Sequence, residues 1–262
     1  MDEHLEDIDA VFLDLDGTIY LGDSLIDGAL DFLQRCEKKG VKRYFLSNNS
    51  SRSVSQYVKK LRAFNIPASA EEVLLSTHDL LTWLKRENIT KTWLVGTEGM
   101  REMLEEKGIA TQSESPQYVV LGYDTEINYE KISRASVFMH AGIPLVASHP
   151  DMVCPSPDGG LPDVGAYLAM FKATTGADPV HITGKPNAGM ILHKIEELGL
   201  EPSRCAMVGD RLYTDIAMAS RAGCIGVLVL SGEATLDDVA QLADGAEQQP
   251  TIIVESVDKL LR

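Results

Sequence analysis

The chain has 262 residues, 44% of them hydrophobic and 24% charged, enough for one large domain or two modest ones around a sizeable buried core. Its net charge of -15 argues against binding nucleic acid or an anionic membrane through a general field. No apolar run approaches the roughly 20 residues that span a bilayer, which argues against a membrane protein. The acidic start, Met1 to Asp7, lacks the basic-then-apolar order of a signal peptide, so the expected location is cytoplasmic. There the sequons at Asn48, Asn49 and Asn88 carry no glycan, and Cys36, Cys154, Cys205 and Cys224 are expected as free thiols. The histidines show no HExxH or similar spacing, which argues against a zinc site.

In chain order, Ala10 to Leu15 (AVFLDL) reads as a buried strand, and Asp27 to Lys39 as a helix with Leu30, Leu33 and Cys36 on one face, ended by Gly40. Val41 to Leu46 is the next strand. Ser51 or Ser53 can cap a helix whose apolar stripe is Val54, Tyr57, Val58 and Leu61. The alternation continues through WLVG (93–96), a helix near 98–107, YVVLGY (118–123), a helix near 129–141 and PLVAS (144–148). Then come HIT (181–183), a helix over 188–198, CAMVGD, a helix over 213–222, IGVLVL, TIIV and a last short helix. Strands alternating with helices predict an α/β protein built on parallel sheets. The only Pro/Gly-rich stretch is 149–162, which reads as a long loop.

The chemistry concentrates at strand ends. Asp14-Leu-Asp16-Gly17-Thr18 directly follows the first strand, where an open parallel sheet binds its ligands. Two acids two residues apart, followed by Gly, fit a turn that aims both into one pocket while the backbone comes close to a ligand. The ordinary alternative is a strand-ending Asp-Gly turn. Three further strand ends carry suitable groups: Ser47-Asn48-Asn49-Ser50, Gly184-Lys185-Pro186, and Gly209-Asp210 through Asp215. Each alone could be a turn, a cap or a solvated cation; their recurrence at successive strand ends points to one site.

Together DLDGT, SNNS, GKP and GDRLYTD resemble the four motifs of the haloacid dehalogenase superfamily, in the same order. They are most similar to subfamily IIA, the branch of the NagD-type, 4-nitrophenyl-, pyridoxal phosphate and phosphoglycolate phosphatases. The likeness extends over essentially the whole chain. It implies a Rossmann-like core and a phosphatase in which Asp14 is the nucleophile and Asp16 the general acid and base. It also implies Mg2+ held by Asp14, the Asp16 backbone carbonyl and Asp210, with Asp215 ordering the surroundings. Gly17, Ser47, Asn48, Asn49 and Lys185 would hold the phosphate. The substrate would be a small phosphate ester: a nucleotide, a sugar phosphate, phosphoglycolate or pyridoxal phosphate.

The Ser47-to-Lys185 interval exceeds one βα unit, and its surplus has its own strand–helix alternation. The resemblance makes that surplus a cap of the second type. The expected division is a discontinuous core, 1–75 and 181–262, with a cap over 76–180, and related proteins dimerise through such caps. The loop 149–165 is the expected substrate-facing element, with His149 where relatives often have Asn. A P-loop is excluded because Pro179 and Pro186 stand where its Gly and hydroxyl residue are needed. A phosphotransferase such as a mutase and a non-enzymatic phospho-receiver remain as alternatives. Known mutase relatives place their cap between the first two motifs, and receivers are about half this length.

Overall fold

The first apolar run forms a strand, β1 (Ala10–Asp14), buried along its whole length. The computed structural model describes residues 5, 7–155 and 159–261. Most of the acidic start and residues 156–158 of the Pro/Gly-rich stretch therefore lie outside the described residues. After β1 come α1 (Ala29–Lys39), β2 (Lys42–Ser47), α2 (Val54–Ala63) and β3 (Val73–Leu75). Next are α3 (Ser76–Arg86), β4 (Thr92–Val95), α4 (Glu98–Glu105), β5 (Tyr118–Leu121), α5 (Tyr129–His140), β6 (Leu145–Ala147), α6 (Val164–Thr175) and β7 (Pro179–Ile182). The chain closes with α7 (Gly189–Leu198), β8 (Cys205–Gly209), α8 (Ala217–Ala222), β9 (Ile225–Val229), α9 (Leu236–Ala240) and β10 (Ile252–Val254).

Sequence periodicity located most of these elements, and the departures have local causes. The buried face of α1 is Ala29, Phe32, Leu33 and Cys36, with Leu30 half-buried at its edge. The helix expected over 213–222 divides into one wide π turn, Leu212–Ile216, followed by α8. Helix α6 begins inside the expected loop because Asp163 caps it, accepting a bond from the Val164 N–H at 2.6 Å. It is apolar nearly all round and so lacks the stripe that marks a helix in sequence.

The chain divides into two compact units. One comprises Met1–Ser47, Val58–Leu74 and Lys185–Arg262, the other Asn48–Tyr57 and Leu75–Gly184. The segment 48–57 groups with the second unit because its polar atoms are engaged there: Thr97 Oγ1 donates to the Ser51 carbonyl at 2.8 Å, and the Tyr123 N–H to Ser50 Oγ at 2.8 Å.

The first unit holds a six-stranded sheet in the order β10-β9-β8-β1-β2-β3. The pairs β1–β2, β1–β8, β8–β9 and β9–β10 are parallel. A doubly wound order of this kind reverses direction beside β1, and a crevice opens at the carboxyl ends there. On one face Phe12, Tyr44, Leu46 and Met207 pack against Ile191, Ile195 and Met218, and Phe12 stacks on Tyr44 with centroids 5.4 Å apart. The second unit holds a parallel four-stranded sheet, β7-β6-β5-β4. Its core joins Val95, Val119, Leu121 and Leu145 to Ala135, Met139 and Phe171. Among the described residues no helix is long and apolar enough to cross a membrane, and the four cysteines are free.

Phe12 is fully buried in the central strand. Phe12→Ala is expected to lower unfolding stability by about 3–5 kcal/mol through lost transfer energy and the cavity left behind. Urea denaturation of the variant against wild type measures it.

Candidate active site

At the carboxyl end of the first unit's sheet, neighbouring strands deliver their last residues to one place. Asp14 ends β1 and Ser47 ends β2. Asp210 follows β8, and Ser231 and Gly232 follow β9. The carboxylates of Asp14, Asp210 and Asp215 bring oxygens within 4.8 Å of one another.

Lys185 ties this cluster together. Its Nζ is hydrogen-bonded and ion-paired to Asp14 Oδ1, and donates to Asp215 Oδ1 at 2.7 Å. The lysine is only 4% exposed. Burial works against its charge, but Asp14 and Asp215 together outweigh that and hold the ammonium above its ordinary pKa. Asp215 is fully buried; desolvation raises its pKa against the pull of Lys185. Asp210 is raised chiefly by desolvation and then by its carboxylate neighbours Asp14 and Asp215. Arg211 also attracts Asp210 and Asp215 but is itself paired with Glu233, so the three acids carry negative charge in excess where burial limits solvation. Such a site has the chemistry of a hard divalent cation site.

The surroundings of Asp210 support that reading. Asp210 Oδ2 accepts from the Glu233 N–H at 2.8 Å, whereas Oδ1 is buried with no hydrogen-bond partner among the described residues. Two glycines make room for this carboxylate. A Cβ added at Gly17, whose φ is +88°, would lie 2.3 Å from Asp210 Oδ2, and one at Gly232 would lie 2.0 Å from it. Ser231 Oγ donates to the Gly17 carbonyl at 2.7 Å and joins the two loops. Sequence reading missed Ser231, Gly232 and Glu233. The available signal was a small-residue turn directly after the IGVLVL strand, a further strand end like the others.

Asp16 is exposed beyond the end of β1, apart from the buried acids. Surrounding protein nevertheless raises its pKa, desolvation outweighing the attraction of Lys60. Lys60 lies with Nζ 3.8 Å above the Tyr20 ring centroid. A solvent-facing carboxyl with a raised pKa suits proton transfer better than metal binding. The wide turn at Leu212–Ile216 carries Asp215 back under β8, where Oδ2 accepts from the Arg211 N–H at 3.1 Å.

The predicted phosphate-binding residues divide between the units. Gly17, Ser47 and Lys185 belong to the first, and Ser47 is buried at the end of β2. Asn48 and Asn49 group with the second. There the Asn48 amide donates to Asp151 at 3.1 Å. Asn49 Oδ1 accepts from the Ser51 N–H at 2.9 Å and from its hydroxyl at 2.6 Å, folding the loop on itself.

Comparison with known proteins matches two family models. One, described as haloacid dehalogenase-like hydrolase, covers residues 11–110, and a HAD-hydrolase-like model covers 182–260. A curated acid sugar phosphatase of Staphylococcus aureus is 34% identical over 232 residues, 88% of this chain and 89% of that protein. The crystal structure of a 4-nitrophenylphosphatase from Thermotoga maritima superposes with a TM-score of 0.92 at 37% identity, covering 97% of both chains. A glycerol phosphate phosphatase of Mycobacterium tuberculosis, solved with magnesium, gives a TM-score of 0.88 at 26% identity, covering 97% of this chain and 76% of that one.

Gly232→Ala is expected to push the Asp210 carboxylate aside. Magnesium should raise the melting temperature of wild type and fail to raise that of the variant, by thermal denaturation with and without the ion. An equal rise in both proteins would show that the glycine cradle is not needed for cation binding.

Proposed function

We propose that this chain, which belongs to the haloacid dehalogenase-like hydrolases in the NagD-like branch and is a phosphatase, hydrolyses small-molecule phosphomonoesters in a magnesium-dependent reaction through an aspartyl phosphate on Asp14. One observation carries the reading: buried Lys185 bridges Asp14 and Asp215, with Asp210 completing the acidic cluster, at the carboxyl end of a doubly wound sheet.

Asp14 and Asp210, with the Asp16 backbone carbonyl, are the residues that would hold the cation. The orphaned Oδ1 of Asp210 and the glycine cradle fit such an ion. When bound, it supplies positive charge that cancels the repulsion between a carboxylate nucleophile and a dianionic phosphoryl group.

The remaining steps belong to the chain's own residues. An Asp14 carboxylate oxygen attacks phosphorus, and the bond from phosphorus to the ester oxygen breaks. The departing oxygen takes its proton from Asp16, whose pKa desolvation holds above the ordinary carboxylate value. Water then attacks the phosphorus of the aspartyl phosphate as Asp16 takes a proton from it. Inorganic phosphate leaves, and the Asp14 carboxylate is restored. Lys185 places a fixed positive charge beside Asp14 throughout, and the Ser47 hydroxyl and the following backbone N–H grip the phosphoryl oxygens.

A sugar or polyol phosphate is the first candidate ester, a choice supported by the names of the relatives, with 4-nitrophenyl phosphate as a convenient reporter. Wild type is expected to release inorganic phosphate from such a panel with magnesium and not with a chelator. Asp14→Asn is expected to lose activity by at least about a thousandfold, since its amide cannot act as the nucleophile. No release from any ester by folded wild type, or undiminished release by Asp14→Asn, defeats the mechanism.

A further inference from the structure

Within the second unit, a line of buried polar atoms runs from the SNNS segment to the start of α6. The Tyr123 N–H donates to Ser50 Oγ at 2.8 Å, and Ser50 Oγ lies 3.0 Å from Ser148 Oγ. Ser148 Oγ is 2.9 Å from His149 Nδ1, and His149 Nε2 is 3.0 Å from Asp163 Oδ1, which also caps α6. Ser50, Ser148 and His149 are all 0% exposed. One arrangement of protons satisfies every atom: Ser50 donates to Ser148, Ser148 to Nδ1, and an Nε2–H to the Asp163 carboxylate. The line thus ends on an acceptor fixed at a helix terminus.

The segment it reaches has no regular structure of its own and is held by polar contacts from several sides. The Asn48 carbonyl accepts from Ser76 Oγ at 2.6 Å. The Asn48 amide faces both oxygens of Asp151, at 3.2 and 3.1 Å. Gly184, with φ +71°, leaves room beside it: a Cβ there would lie 2.8 Å from Asn48 Oδ1 and 2.7 Å from the Ser148 carbonyl. Asp151 is itself tied to α6, since its carbonyl accepts from the Gly165 N–H at 2.8 Å.

We propose that His149 is a positioning residue for the phosphate-binding segment, holding the Asn48–Ser50 turn through Ser148 and Ser50 while Asp151 orients Asn48. This rests on the reading that Ser47 and the following backbone grip the phosphoryl group. Two buried residues of loop 149–165, His149 and Asp163, thus brace the phosphate-binding segment, while Met152 and Leu161 of the same loop are exposed. A brace acts on the group common to all phosphate esters, so its loss should be indifferent to the leaving group. A substrate contact would discriminate among esters.

The test uses the magnesium-loaded full chain, two esters with unlike leaving groups (4-nitrophenyl phosphate and glycerol phosphate), and orthovanadate as a mimic of the transferring phosphoryl group. His149→Ala is expected to lower kcat/KM about tenfold on both esters and to weaken vanadate inhibition by a similar factor, as for the loss of one well-placed hydrogen bond. His149→Asn keeps a polar atom near the Nδ1 position, toward Ser148, and should recover most of the activity. His149→Gln keeps one near the Nε2 position, toward Asp163, and should recover stability more than activity. Ser50→Ala cuts the line at its other end and should reproduce the kinetic loss, a check that stands if the His149 variants fail to fold.

Unequal losses on the two esters, or folded His149→Ala or Ser50→Ala with wild-type kcat/KM and vanadate inhibition, would overturn the proposal. So would His149→Asn and His149→Gln recovering activity in step with stability. Wild type that neither turns over an ester nor binds vanadate would instead defeat the phosphatase reading beneath it.

Discussion

A buried ammonium held between two carboxylates is the constraint around which the first unit is organised. Lys185 would not keep its charge at 4% exposure without Asp14 and Asp215, nor could those acids lie together without it. Satisfying that arrangement draws in the ends of β1 and β8 and the wide turn at Leu212–Ile216. Asp210 then adds negative charge that the lysine alone does not balance. The lysine pairing stabilises the region, and the surplus negative charge beside it gives the region its capacity to hold a cation.

The glycines beside this cluster have a complementary task. On the proposed reading, a carboxylate oxygen without a hydrogen-bond partner is what a cation would take. Gly17 and Gly232 leave room for Asp210 Oδ2, the Glu233 N–H fixes that same oxygen, and Oδ1 has no hydrogen-bond partner among the described residues. One oxygen is anchored and the other is left available, which is preorganisation in its simplest form.

The second unit takes up chain segments next to two of the motifs. Two of its boundaries fall between Ser47 and Asn48 and between Gly184 and Lys185, so each of these motifs is divided between the units. The polar line through Ser50, Ser148, His149 and Asp163 explains how an irregular segment at such a boundary can be held firmly. Hydrogen bonds with every atom paired give it a single arrangement without a hydrophobic anchor.

Much of this was legible in the chain itself. Alternating apolar runs and amphipathic stretches predicted the α/β class, and Asp14, Asp16, Ser47 and Asp210 stood at strand ends of the first unit's sheet because residue order and the direction of a parallel strand determine which end carries which side chain; Lys185 instead follows β7, a strand of the second unit's sheet. Less could be read where local pattern is weak or absent. Helix α6 is apolar nearly all round, and Gly232 and Ser231 bear on Asp210 only because β9 lies beside β8. Tertiary structure alone decided that His149 is buried and bonded at both nitrogens, that Asp16 is exposed while Asp215 is buried, and that segment 48–57 groups with the second unit. The physical reason is one of range. Residue order determines what each strand end can offer, whereas burial, charge pairing and hydrogen-bond partners depend on segments far apart in the chain that meet only when the sheets are assembled.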